Sequence, residues 1–249
     1  MAAGLACPFA GFTSAAYRFL IELGLNNSKP WFEAHRAVYE KSVKLPIAAL
    51  ITDVAAELAR RSLPLEGDPK RSTFRIHRDT RFSGNKSPYK TSVGAVWYRQ
   101  GSSKDGAGVL YFHFAAEGCF VAAAYYRPEP EVLDAIRERI RVHPDRFEAM
   151  QANLAAAGLV LDAADSLTRM PRGFEDLRDS PVAPALRLKS LLVRRDVPLE
   201  VTTGPALVGA ILDLAATAMP LLQFGWAAVD EVASPSPSGL GPQRRPRPG

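Results

Sequence analysis

The spacing of apolar residues changes twice along this chain, and those changes limit its fold more than any other feature. Ala15, Ala16, Phe19, Leu20 and Leu23 recur at helical spacing, predicting a helix from Thr13 or Ser14 to about Leu23. Asn26-Asn27-Ser28 breaks it, and Pro30 suits the first turn of a second helix with a face through Trp31, Ala34, Val38 and Ser42. Pro46 is expected to end that helix and open a third, striped by Ile47, Leu50, Ile51, Val54 and Leu58. The period then shortens. Residues 93–98, 109–115 and 119–126 are rich in Val, Phe, Tyr and Trp, with turn material between them. Ala116-Glu117-Gly118 is short enough for an antiparallel hairpin. Helical spacing resumes after Pro128, with one helix marked by Val132, Ala135, Ile136, Arg139 and Ile140 and another from Pro144 to Gly158. Residues 161–184 read as irregular, 185–192 as a short helix, and an apolar helix from Ala206 closes the chain. This order predicts an α+β fold: a central antiparallel sheet of three or more strands flanked by N- and C-terminal helices.

A chain of 249 residues with 47% hydrophobic and 23% charged side chains is neither disordered throughout nor fibrous. Residues 1–8 are expected to be a short leader and 9–232 one globular domain. Residues 233–249, with five prolines, three arginines and no acid, are expected to be a disordered tail. The leader has neither the basic start nor the apolar run of a signal peptide. Two cysteines, Cys7 and Cys119, make no disulfide framework, so a cytoplasmic location is expected. Residues 205–229 are strongly apolar but contain Asp213 and Pro220. A charge at a bilayer centre costs at least about 2.5 kcal/mol, so a buried helix is expected and no membrane partner.

Charge is concentrated. Residues 70–90 hold seven basic side chains and one acid, a balance of +6 in a chain whose total is +5. Such concentration is what an anion-binding surface requires. If this stretch is extended, Arg75, His77, Asp79 and Arg81 share one face, and Phe74, Ile76, Arg78, Thr80 and Phe82 the other. Guanidinium forks match phosphate or carboxylate, and Asp79 can fix one fork by a bidentate pair. Ser83-Gly84-Asn85 makes a turn that returns Lys86, Tyr89 and Lys90 near the same place. The candidate ligand-binding set is therefore Arg75, Arg78, Asp79, Arg81, Lys86, Tyr89 and Lys90. The competing reading is structural: an ion-pair network, with Arg78 buried against carbonyls or an acid.

The run Arg75-x-x-Arg78-Asp79-x-Arg81-Phe82-Ser83-x-x-Lys86-x-Pro88-Tyr89-Lys90 resembles the bacterial family called domain of unknown function 2461. Asn26-Asn27, Trp31-Phe32, His35 and Tyr39 fit the same family, as do Pro171-Arg172-Gly173-Phe174 and Leu188-Lys189-Ser190 with Arg194. The resemblance covers roughly residues 9–226. One departure is Ala122-Ala123-Ala124, which stands where the resemblance leads one to expect a glycine-rich strand. The resemblance implies a cytoplasmic bacterial globular protein and no particular reaction.

His77, Asp79 and His113 could form a two-histidine, one-carboxylate site, but the surrounding arginines repel a cation, so no metal is expected. His77 and Asp79 are the candidates for acid–base work. Trp31, His35 and Tyr39 mark one helix face, either as core packing with polar tips at the rim or as an aromatic wall of a ligand cleft. No Walker loop, GxSxG, HExxH or CxxC occurs, and no cofactor is expected. The favoured function is binding of a small phosphorylated or carboxylated ligand. The alternatives are nucleic-acid binding, an enzyme acting on a phosphorylated substrate, and an interaction protein without a ligand.

Overall fold

The computed structural model describes residues 8–79, 81, 84 and 86–233. Residues 1–7 of the expected leader, 234–249 of the expected tail, and Thr80, Phe82, Ser83 and Asn85 lie outside the described residues.

Three helical stretches open the chain: α1 (Ser14–Leu25), α2 (Lys29–Tyr39) and α3 (Leu45–Arg60). Pro46 does not end a helix as expected. A single π-helical turn, Glu40–Lys44, joins α2 to α3 without a break. Proline in a helix interior lacks one donor and crowds the carbonyl a turn earlier. The wider turn, in which the Leu45 N–H reaches the Glu40 carbonyl, carries the chain into the proline-bearing first turn of α3. The buried side of this long helix also departs from the expected Ala34 and Val38, which are exposed. Phe32 and Val43 are buried there instead, with Tyr39 half-buried beside them. In α3 the predicted stripe from Ile47 to Leu58 is buried in full.

The sheet is antiparallel, with strands in the order β1 (Leu65–Glu66), β2 (Ser92–Arg99), β3 (Val109–Ala115), β4 (Cys119–Tyr125) and β5 (Leu191–Val197). Between β4 and β5 come α4 (Pro130–Val142), α5 (Pro144–Ala156) and the short α6 (Ala183–Leu186); α7 (Leu199–Thr202) and α8 (Ala206–Ala233) follow. Of the helix expected over 185–192, only 185–186 are helical, at the end of α6, and 191–192 already belong to β5. Leu191 and Val193 alternate toward the core, while Arg194, Arg195 and Asp196 give the sheet edge an exposed, charged stretch that discourages pairing with another chain.

Alternation divides the sheet into two faces. Val93, Ala95, Trp97, Leu110, Phe112, Phe114, Val121, Ala123, Tyr125, Leu191 and Val193 join the helices in one core. The Trp97 indole N–H donates to the Ile51 carbonyl of α3 at 3.2 Å, and the Tyr125 hydroxyl donates to the Leu222 carbonyl of α8. Phe12 stacks on Phe114 with ring centroids 4.0 Å apart. α8 is long and apolar enough to cross a bilayer, yet Leu207, Ile211, Leu214, Leu221 and Leu222 are buried inside the fold. The helices therefore pack on one side of the sheet, and the other side is where a site can form.

Two tyrosines of this core give a pH prediction. Burial pushes the Tyr17 hydroxyl up to about 12, and burial with the nearby Glu40 carboxylate does the same for Tyr39. An unfolded tyrosine ionises near about 10. Below that pH both states keep the proton and the contribution to stability is whole. Between about 10 and 12 the unfolded chain loses protons that the folded chain keeps, so stability falls as pH rises. Melting temperatures measured from pH 9 to 12 should decline, and less steeply for the Tyr17→Phe/Tyr39→Phe double variant. Identical slopes in the two proteins would contradict the assignment.

Candidate functional site

The basic run does not form a regular strand. Its ends are held in two places. Val96 donates its N–H to the Ser72 carbonyl, and Thr73 bridges Ala95, which lays residues 72–73 along the edge of β2. Farther on, the Arg78 N–H donates to the Pro88 carbonyl and the Lys90 N–H to the Ile76 carbonyl, each at 2.8 Å. These bonds close a narrow ribbon around the His77–Tyr89 bridge. Tyr89 is its anchor: its ring is buried and stacked on Phe32 at 4.3 Å. The Asn27 side chain accepts from the Tyr89 N–H and donates to the Tyr89 carbonyl, both at 3.0 Å. That is how an asparagine replaces a missing strand partner.

The candidate ligand-binding residues do not line one recess. Asp79 takes Arg81 in a two-pronged pair, 3.1 Å from Nε and 2.8 Å from Nη2, with both side chains exposed. The Arg81 guanidinium, its backbone N–H and the more distant Arg75 hold the Asp79 carboxyl below the usual range, which makes it a poor proton acceptor. Arg78 is half-buried, and its Nε has no hydrogen-bond partner among the described residues. Arg75 and His77 are exposed and line a recess of about 230 Å³ against the π turn. Lys90 lines a different and larger groove, whereas Arg78, Asp79, Arg81, Lys86 and Tyr89 line neither. His113, the other imidazole considered at the sequence level, stacks on Phe120 at 4.7 Å, and its Nδ1 lies 3.2 Å from the Tyr111 hydroxyl. Burial pushes its pKa down. Of the aromatic helix face, Trp31 stacks on His35 at 4.0 Å as packing, and Tyr39 reaches the smaller recess.

The groove, of about 720 Å³, lies over the sheet face opposite the helices. Register explains it. Val96, Tyr111, Ala122 and Arg194 form one row across four strands, and Tyr98, Val109, Ala124 and Leu192 form the next. Tyr111 leans along β3 so far that a Cβ on Gly94 would come within 2.5 Å of its ring. Val96, Ala122 and Ala124 lie at the bottom of the groove and are themselves buried. Phe120 and Phe74 complete the ring-lined walls.

Its charged rim is mixed. Lys104 pairs with Asp105 at 2.9 Å, Arg127 with Asp165 at 2.9 Å, and Arg194 lies 3.6 Å from Asp196 with its guanidinium over Phe120. Among the described residues, Lys90 makes no ion pair. Its ammonium sits 5.8 Å from the Phe74 ring centroid, and that of Lys104 sits 5.5 Å from the same ring. Arg127 adopts a positive φ of 42°, an unfavourable conformation for a side chain of this kind. Its N–H donates to the Ser190 hydroxyl at 2.9 Å, and Asp165, also bound by Lys189 at 2.7 Å, holds its guanidinium. Backbone strain held by several side chains is a feature of ligand-binding rims.

Sequence reasoning reached Lys90 but not the floor. The signal was present in the period of two: Gly94, Ala122 and Ala124 are small residues at positions facing away from the core.

The model of a family described as a conserved hypothetical protein, domain of unknown function 2461, matches residues 15–224. No curated protein and no solved structure matches the chain.

Proposed function

We propose that this chain, which belongs to the domain of unknown function 2461 family, binds a small ligand in the groove on the open sheet face. The ligand carries a phosphate or carboxylate and a flat, apolar body. The observation that carries this reading is Lys90: an ammonium without a carboxylate partner among the described residues, placed beside an apolar floor. The floor suits a flat body, because Val96, Ala122 and Ala124 project little and Tyr111 and Phe120 present ring surface. The volume lies within the usual range of small-molecule sites, roughly 300–1,000 Å³.

A panel of aromatic and aliphatic carboxylates and phosphomonoesters, screened by thermal shift, tests this. A ligand at about a hundredfold excess over its Kd stabilises by about 2.7 kcal/mol, a rise of roughly 5–10 °C for a domain of this size. Lys90→Ala should weaken the hit about tenfold or more. Ala122→Leu should abolish binding by filling the floor, at a cost of about 1–3 kcal/mol in stability because Ala122 is buried. No hit on the wild type, or equal binding by both variants, overturns the reading. The same rings and cations would accept a single nucleic-acid strand. A single-stranded oligonucleotide that binds with affinity falling steeply in salt would transfer the groove to that ligand class.

A further inference from the structure

We infer that the smaller recess, between the π turn and residues 73–77, is a separate binding site for a tetrahedral oxyanion. It is lined by Arg36, Lys44 and Arg75, with Glu40 as the one acid among its described lining residues. Glu40 is already engaged by Lys44 at 2.9 Å, and Glu33, outside the lining, holds Arg36 at 2.7 Å. Arg75 makes no ion pair among the described residues. Among the described residues the recess is therefore left with one positive charge that no carboxylate pairs, that of Arg75, with the paired cations Arg36 and Lys44 beside it from a second chain segment.

Three further observations point to the same ligand. The volume, about 230 Å³, is that of several waters at roughly 30 Å³ each, enough for phosphate or sulfate with part of its hydration shell. Tyr39 places a half-buried hydroxyl on the wall that makes no hydrogen bond among the described residues. With its pKa near 12, that hydroxyl keeps its proton at neutral pH and can donate it to an anion. The π turn itself supplies Glu40 and Lys44 to the lining, and such widened turns concentrate at functional sites. Arg75 offers the planar donor fork that phosphate oxygens accept.

This inference does not depend on the ligand proposed for the groove. The two cavities share Phe74 and Gly94, but Arg75 lines only the recess and Lys90 only the groove. The oxyanion is therefore either free or the phosphoryl end of a molecule reaching past Phe74.

Calorimetric titration with inorganic phosphate, and with sulfate, at ionic strength matched by chloride tests the site. One phosphate should bind per chain to the wild type and equally to Lys90→Ala. Affinity should fall about tenfold or more in Arg75→Ala and in the less drastic Arg75→Gln. Arg75 is exposed, so both variants should keep the wild-type circular dichroism. Equal phosphate binding by the wild type and both Arg75 variants overturns the site, as does phosphate that binds no better than chloride. Phenyl phosphate separates the sources. Dependence on Arg75 alone marks a free-anion site, and dependence on Arg75 and Lys90 together marks a phosphoryl group shared with the groove. Failure of the carboxylate and phosphomonoester panel at the groove would leave the phosphate titration intact.

Discussion

Tyr125→Ala should lower the unfolding free energy by about 3–5 kcal/mol, the usual cost of removing a buried aromatic ring. For a chain of this size that corresponds to a melting temperature roughly 6–20 °C lower. The reason lies in how the ring is seated. Tyr125 is 1% exposed and lies in a slot between two glycines. A Cβ on Gly225 would come within 2.3 Å of the ring, and one on Gly108 within 2.4 Å. Gly108 also has a φ of +77°, so its backbone cannot easily yield to accept a larger residue. The slot is too well formed by backbone to collapse around alanine. Tyr125→Phe keeps the ring and loses only the bond to the Leu222 carbonyl, so it should cost about 1 kcal/mol. Urea unfolding followed by circular dichroism measures both. An alanine variant within 1 kcal/mol of wild type would refute this account of the core.

Arg137→Met should cost about 2–5 kcal/mol, from leaving two buried carbonyls without a donor. Arg137 sits on α4 with its side chain 8% exposed. Its guanidinium donates to the Leu186 carbonyl at 2.9 Å and the Leu188 carbonyl at 3.2 Å. Methionine retains most of the stem volume, so the loss reports the hydrogen bonds rather than a cavity. Asp134, which pairs with the same guanidinium at 3.1 Å, is 66% exposed, so Asp134→Asn should change stability by less than about 1 kcal/mol. The two carbonyls belong to the segment leading to Lys189 and Ser190, which hold Asp165 and Arg127 at the groove rim. Arg137→Met should therefore also weaken any groove ligand, whereas Tyr17→Phe, remote from the rim, should not. Loss of stability with unchanged groove affinity would show that the rim does not depend on this arginine.

The α+β arrangement was legible because apolar spacing reports burial directly. Ile47, Leu50, Ile51, Val54 and Leu58 are all buried as their helical stripe implies. β5 was not legible, because its pairing with β4 comes from across the fold and three charged residues in a row hide its alternation. The π turn was invisible for a related reason: Pro46 announces a disturbance but not the widened turn that accommodates it. The site was legible only in part. Charge concentration identified residues 70–90, and the ribbon around Tyr89 shows how that segment is fixed. Which of its side chains share a cavity depends on register. Val96, Tyr111, Ala122 and Arg194 lie far apart in the chain and meet only as a row across paired strands.

The one-sided packing of helices against the sheet has a corollary. Neighbouring positions on a single strand answer to different demands. Changing Ala123 disturbs the core shared with the helices, while changing Ala122 or Ala124, buried on the opposite face, alters the packing beneath the groove. Alternate residues of β2, β3 and β4 thus belong to two separately packed layers, and a substitution in one layer leaves the side-chain contacts of the other in place.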